Sequence, residues 1–270
     1  MEWFDIGVNL MDKRLSIEPS LMRAQLANVN HLLITASNIQ ESQSAALMAR
    51  KWPKRLFSTA GIHPHHAKDA GSDFIEELRK LAALPEVLAI GECGLDFNRN
   101  FSEPQLQLKI FESQLILATE LKLPVFLHER DAFEQQIALL RKYRSGLCGG
   151  VAHCFTGTKE QMHAYLDLGF YIGITGWVCD PKRGHELREA VQDLPLERLL
   201  LETDAPYLWP KTLPRKDSQA SGNNEPCNLP HIAEYLATLL EIEEAELQKH
   251  TFHNSCKLLQ LDDISLAHEN

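Results

Sequence analysis

The residues able to do chemistry fall into five short stretches spread along the chain. They are Gly61-Ile62-His63-Pro64-His65, Gly91-Glu92-Cys93-Gly94-Leu95-Asp96, Leu127-His128-Glu129-Arg130-Asp131, Ala152-His153-Cys154-Phe155 and Glu202-Thr203-Asp204-Ala205-Pro206. Two imidazoles, His128 and His153, with the Glu92 carboxylate form a donor set suited to a divalent ion. Asp204 could bind a second ion, orient the attacking water or accept its proton. Hydrolysis of phosphodiesters and of amides needs the same parts. These are a nucleophile made from water at neutral pH and positive charge facing the developing oxyanion.

Taken singly, each residue has a structural reading. A lone His at a strand end is more often a hydrogen-bonded packing residue than a ligand. Glu92 alone could cap a helix or pair with a buried cation, and Asp204 could cap the loop before Pro206. Five strand ends carrying His, Glu, His, His and Asp are harder to attribute to packing, because buried ionisable groups are costly without partners. His65 and His66 follow Pro64, where they read either as substrate contacts or as solvated loop imidazoles. Arg130 could clamp a phosphate, or pair with Asp131 or Glu129. Cys93 and Cys154 fall on the opposite face of their strands from the candidate ligands if a two-residue period holds, and read as packing residues.

These stretches need elements to bring them together. Short apolar runs predict eight strands, at Trp3–Val8, His31–Ala36, Leu56–Gly61, Val87–Gly91, Val125–Leu127, Gly150–Cys154, Phe170–Thr175 and Leu199–Glu202. Helical spacing lies between them. Over Pro104–Leu121, Leu108, Phe111, Leu115 and Ala118 recur at three- and four-residue steps, and Asp73–Leu84 and Asp131–Tyr143 read similarly. This alternation, unbroken by a linker, points to a single (β/α)8 TIM barrel over residues 1–270, whose strand ends converge on one catalytic mouth. A doubly wound open sheet is the alternative. After the eighth strand, Trp209–Asn228 holds three prolines with Lys211, Arg215 and Lys216, and reads as a lid or as an ordinary solvated loop.

Composition sets the outer limits. The chain has 270 residues, 44% hydrophobic and 24% charged, enough for a sizeable core. Its apolar runs are too short to span a bilayer. The start, Met1-Glu2-Trp3-Phe4-Asp5, lacks the pattern of a secretory signal. Six cysteines without a C-x-x-C pair suit reduced thiols in a cytoplasmic protein. A net charge of −10 argues against a protein that coats nucleic acid, but not against a nuclease gripping a few nucleotides around ions that neutralise its acidic site. No Walker loop, dinucleotide fingerprint or G-x-S-x-G elbow is present.

At these same residues the chain resembles the TatD family of metal-dependent deoxyribonucleases. The resemblance is carried by Ala60–His65 (AGIHPH), Ala89–Asp96 (AIGECGLD), Val125–Asp131 (VFLHERD), His153–Gly157 (HCFTG), Tyr171–Trp177 (YIGITGW), Leu201–Tyr207 (LETDAPY) and Asn224-Glu225-Pro226. It runs from about residue 3 to about residue 260. Asp5–Leu10 (DIGVNL) and Glu92–Phe101 (ECGLDFNRNF) bring it nearest to the bacterial members. The resemblance implies an amidohydrolase-type barrel and a Mg²⁺-dependent 3′-to-5′ exonuclease acting on single-stranded DNA, with RNA as a second substrate. It implies that Glu92, His128 and His153 hold one metal, that Asp204 serves the catalytic water or a neighbouring metal position, that His63 sits near the substrate phosphate, and that Glu202 supports the strand-eight site. Mn²⁺ or Zn²⁺ would substitute in vitro, since imidazole suits softer ions. A monomer without a membrane partner is expected.

One departure stands out. Most of the wider family begins with an H-x-H pair on strand one, which binds the first of two metals. Here those positions are Gly7 and Asn9, and a single amide oxygen is a poor substitute for two imidazoles. The first metal position should be weak, absent, or completed only by substrate phosphate. Two other readings stay open: a hydrolase of the same fold acting on an amide, lactone or small phosphoester, and a metal-binding scaffold without catalysis.

Overall fold

Runs rich in Val, Ile, Leu and Phe suit a parallel sheet covered on both faces. In the computed structural model, which describes residues 2–214 and 222–261, eight such runs are strands. They are β1 (Trp3–Val8), β2 (Val29–Ile34), β3 (Leu56–Ala60), β4 (Val87–Asp96), β5 (Val125–Arg130), β6 (Gly150–Ala152), β7 (Tyr171–Ile174) and β8 (Leu199–Leu201). The helices are α1 (Ile17–Leu26), α2 (Ile39–Ala49), α3 (Phe74–Ala82), α4 (Pro104–Leu121), α5 (Phe133–Tyr143), α6 (Lys159–Asp167), α7 (His185–Val191), α8 (Leu229–Leu240) and α9 (Glu244–Leu258). The strands make one sheet in sequence order. A parallel bridge between Val8 and Ala205 returns the end of the series to its start, as in the expected (β/α)8 barrel. Among the described residues no helix is long and apolar enough to cross a membrane.

Residue contacts gather into two compact units, one of residues 34–153 with 164–171, the other of residues up to 33, 154–163 and from 172 onward. In the first of these, β3 to β6 pair in parallel. The register of β4 on β5 steps from Gly91↔Phe126 to Cys93↔Leu127, so Glu92 is an extra residue in a bulge. The strand then continues to Asp96, five residues beyond the expected end at Gly91. Gly94 permits this: its φ is +142°, and a Cβ there would lie 1.9 Å from the His128 carbonyl oxygen.

α4 spans the predicted residues, with Pro104 in its first turn and Lys122 ending it at a φ of 57°. Its buried face holds the predicted Phe111, Leu115 and Ala118 and is wider than that stripe. Leu108 is only half-buried, whereas Gln107 and Gln114 are fully enclosed. Gln114 accepts from the Ile62 N–H at 2.8 Å and donates to the Ile62 carbonyl at 3.0 Å. Gln107 does the same for Asp96, at 2.8 and 3.0 Å. Gln136 on α5 accepts from the Leu95 N–H at 3.0 Å and donates to the Tyr165 hydroxyl at 3.2 Å. Each amide satisfies backbone groups where the ladder opens next to a candidate ligand.

In the other unit, Phe4, His31 and Phe252 form a ring cluster with centroids 5.5–6.4 Å apart. The Asn254 side chain of α9 donates to the carbonyls of Leu196 and Leu199 at 2.7 and 2.9 Å, fixing the entry into β8. Asp5 on β1 is fully buried and accepts from the Thr203 N–H (2.9 Å), the Thr203 hydroxyl (2.5 Å) and the Gly7 N–H (3.3 Å). Burial, which outweighs those bonds, pushes its carboxyl up to about 7.

Candidate metal centre

The residue 34–153 unit assembles its site from backbone upward. Ile62 is clamped by Gln114, and the next N–H, of His63, donates to the Ser37 carbonyl at 2.8 Å. The His63 Nδ1 accepts from the His65 N–H at 3.1 Å, which leaves its Nε2 facing Glu92 at 3.4 Å. Glu92 sits in the β4 bulge with its N–H bonded to the Ala36 carbonyl at 2.9 Å. His128 lies inside β5, two residues before its end, and His153 follows β6 with its N–H on the Leu127 carbonyl at 2.9 Å.

Three imidazoles converge on one atom. Oε1 of Glu92 lies 3.0 Å from His128 Nδ1, 3.4 Å from His63 Nε2 and 3.8 Å from His153 Nε2. A second carboxylate, Asp96, receives His65 Nε2 at 2.6 Å and His128 Nε2 at 3.3 Å on a single oxygen. His128 therefore spans two carboxylates with its two ring nitrogens. The rings themselves are stacked edge to face, His63 at 4.3 Å from His65 and 4.4 Å from His128.

Burial and charge compete at every member. Burial alone would raise the Glu92 carboxyl, but His63, His128 and His153 override it and hold it well below the usual range. Asp96 is likewise penalised by burial and brought below its ordinary value by His128, the Arg99 N–H and His65. For His128, burial disfavours the cation, yet bonds to Asp96 and Glu92 carry it up to about 9. His63 goes the other way: burial outweighs Glu92 and drops it to about 4. The cluster thus pairs ionised carboxylates with one protonated and one neutral imidazole, a set that exchanges protons for a cation readily.

These residues fit a metal ion. The ligand nitrogens of His63, His65 and His128 lie within 4.8 Å of one another, and the adjoining carboxylates supply negative charge. Of the residues predicted from sequence, Glu92, His128 and His153 are brought together around one oxygen. His63 joins them at Glu92, and His65 bonds the neighbouring Asp96. Asp96 was missed as a site residue. Its signal was its spacing, four residues after Glu92 on a strand that runs farther than its apolar stretch.

The other unit holds the strand-one and strand-eight residues. The Asp204 N–H donates to the Gly7 carbonyl at 2.8 Å, and its Oδ1 accepts from the Asn9 amide at 2.9 Å. Glu202 is fully buried, and its Oε1 accepts from the Cys154 N–H at 2.5 Å. Its other oxygen occupies the space beside Gly7, where a Cβ would come within 2.1 Å. The glycine that reads in the sequence as a missing ligand is, in the structure, the vacancy that Glu202 fills. Asn9, a poor ligand on paper, holds Asp204.

Other expectations fared variously. Cys93 is fully buried and its thiol is pushed up by that burial, as suits packing. Cys154 is only half-buried, lies beyond β6 with a φ of 47° and approaches the Thr175 hydroxyl at 3.7 Å, so the two-residue period does not reach it. Arg130 is exposed, while Asp131 takes the Asn98 amide and Glu129 the Ala132 N–H, both at 2.7 Å. His66 faces Asp69 at 3.6 Å. Arg215 and Lys216 lie outside the described residues.

Comparison with known proteins places this arrangement. The family described as TatD related DNase matches residues 4–260. A protein of Erwinia tasmaniensis named 3′-5′ ssDNA/RNA exonuclease TatD is 48% identical over 261 residues, covering 96% of this chain and 100% of its own. The crystal structure of a TatD family hydrolase from Entamoeba histolytica superposes with a TM-score of 0.86 at 28% identity, covering 96% of this chain and 98% of that one. An uncharacterized amidohydrolase from Saccharomyces cerevisiae, 23% identical, shares the fold with a TM-score of 0.82 over 96% of this chain and 99% of its own. With its eight-stranded barrel and its imidazole–carboxylate cluster, the chain belongs to the TatD family.

Proposed function

We propose that this protein is a metal-dependent 3′-to-5′ exonuclease that hydrolyses single-stranded DNA, and RNA as a second substrate, with Mg²⁺ as the ion in the cell. The observation that carries the reading is the convergence of His63, His128 and His153 on one oxygen of Glu92, in a chain of this family. Glu92, His128 and His153 would hold the ion, with Asp96 and His65 supporting His128. When bound, a divalent ion supplies Lewis acidity toward a phosphate oxygen and lowers the pKa of its water.

The chain's own groups do the rest. His63, held neutral by burial, presents its Nε2 as a hydrogen-bond partner for phosphate without adding charge. Asp204, steadied by Asn9, orients the attacking water or takes its proton, and Glu202 holds the turn before it by fixing the Cys154 N–H. Arg130 is exposed and able to reach a substrate phosphate.

The test uses metal-stripped protein with single-stranded oligonucleotides labelled at the 3′ or the 5′ end. Stepwise loss from the 3′ end that requires Mg²⁺ and disappears in Glu92→Ala is expected. No cleavage with Mg²⁺, Mn²⁺ or Zn²⁺, or equal cleavage by the variant, overturns the reading. Turnover restricted to small esters or amides would do the same.

A further inference from the structure

The unit that carries Asp204 also contains a depression of about 230 Å³, lined among others by Arg14, Trp177, Arg183, Tyr207 and Lys211. Its walls come from the loops that follow β1, β7 and β8. Tyr207 is tied to the strand-eight residue by its N–H, which donates to the Asp204 carbonyl at 2.9 Å. Trp177 is fixed by a cap, its N–H donating to the Thr175 hydroxyl at 3.3 Å, and by its indole N–H on the Arg183 carbonyl at 3.3 Å.

Two flat rings, Trp177 and Tyr207, line this space, each with an arginine over one face. The Arg14 guanidinium lies 4.3 Å from the Tyr207 ring centre, and that of Arg183 lies 4.2 Å from Trp177. Both guanidiniums are locked by carboxylates: Arg14 by Asp12 at 2.9 and 2.7 Å, Arg183 by Asp180 at 2.8 Å. Tyr207 nevertheless remains 47% exposed, a large ring kept at the surface beside a candidate catalytic residue.

We propose that this depression seats a nucleobase of the single strand, next to the bond that is cut, by stacking on the Trp177 and Tyr207 platforms. The proposal rests on the nuclease reading above. Three features point to a base rather than a phosphate. The two arginine charges are already answered by Asp12 and Asp180, so the site offers flat polarisable surface more than net charge. The volume falls below the roughly 300 Å³ at which pockets begin to enclose drug-sized ligands, so one ring system fits where a whole nucleotide does not. Stacking also reconciles binding with a net charge of −10, because every base has a π-face whatever the phosphate field.

The experiment is a fluorescence titration of the metal-stripped protein with a labelled single-stranded oligonucleotide, and with a set carrying one abasic residue at each position from the 3′ end. Parent protein should lose about 5- to 100-fold in affinity when the abasic residue occupies the seat, and little at distant positions. Trp177→Ala and Tyr207→Ala should weaken the intact oligonucleotide by a similar factor and flatten the abasic profile, while Trp177→Phe restores it. The slope of log affinity against log salt should stay at about 3 or less, the most that Arg14, Arg183, Lys211 and Arg130 can supply on a single strand. A flat abasic profile in the parent, or alanine variants that bind and discriminate like the parent, overturns the proposal. Cleavage of the intact strand by the parent is scored separately, so a failed nuclease reading is not mistaken for a failed seat.

Discussion

Replacing Gly7 by alanine adds one methyl group in front of a buried carboxylate, and the structure sets the cost. The new Cβ would sit 2.1 Å from Oε2 of Glu202, with its Cδ and Cβ at 3.2 and 3.3 Å. The carboxylate cannot simply swing away, because it is fully buried and its other oxygen holds the Cys154 N–H at 2.5 Å. Overpacking of this kind costs about 1–3 kcal/mol, and an orphaned N–H about 1–3 kcal/mol more. A loss of roughly 2–6 kcal/mol follows, which for a protein of this size lowers Tm by roughly 4–11 °C. Thermal and urea unfolding of metal-stripped protein, followed by circular dichroism, reads this without reference to turnover. Glu202→Ala removes the obstruction, so Gly7→Ala/Glu202→Ala should be more stable than the two single losses sum to, by at least about 1 kcal/mol. A Gly7→Ala protein within about 0.5 kcal/mol of the parent, or a double variant that is simply additive, would refute the pairing. Gly7→His, which restores the family's strand-one residue, should then be worse than alanine unless Glu202 is shortened as well.

Three further outcomes are expected. Gln114→Met keeps the side-chain volume but orphans both polar groups of Ile62, and should cost about 2–4 kcal/mol in urea unfolding. Retention of parental stability would show that water replaces the amide. Asp5 holds its proton in the folded state up to about pH 7, against 3.8 for the free group. Its contribution to stability is therefore complete below about pH 4 and is lost as the pH rises to 7, a change on the order of 4 kcal/mol. In Asp5→Asn that component should vanish, so the parent's advantage over the variant shrinks between pH 5 and 7.5; a constant gap would count against it. His128, raised to about 9, must give up a proton to ligate an ion. Calorimetry of Zn²⁺ or Mn²⁺ binding near pH 7.5 in buffers of different ionisation enthalpy should report release of about one proton. Binding with no proton release would remove His128 from the ligand set.

The sequence displays the barrel and the His128, His153 and Glu92 positions for one reason. Parallel strands are read from unbroken Val, Ile and Leu runs, and the polar residue that interrupts such a run marks the open end. The same rule fails at β4, where glycines break the apolar run although the strand goes on to Asp96. It fails at α4 too, since Gln107 and Gln114 look like solvent-facing residues until a partner backbone is known. The bond between Asn9 and Asp204 and the fit of Glu202 against Gly7 join residues 195 positions apart, and no local pattern announces either. What one reads from Gly7 alone is an absence. What the fold shows is a substitution of one buried group's space by another's.

The glutamines that clamp Ile62, Asp96 and Leu95 also give the protein a way to age. An amide is a side chain that gives and accepts at the same tip, and slow hydrolysis turns it into a carboxylate of the same shape that only accepts. At Gln107 that change would point a new negative charge at the carbonyls of Asp96 and Ser102, now 3.0 and 2.7 Å from its nitrogen. Burial keeps water from the amide while the structure is closed, so the reaction belongs to moments of local opening. Once it has happened, the segment can no longer reclose without burying an unpaired charge. Each such event works as a ratchet, because α4 would have to return a carboxylate to a site built for an amide.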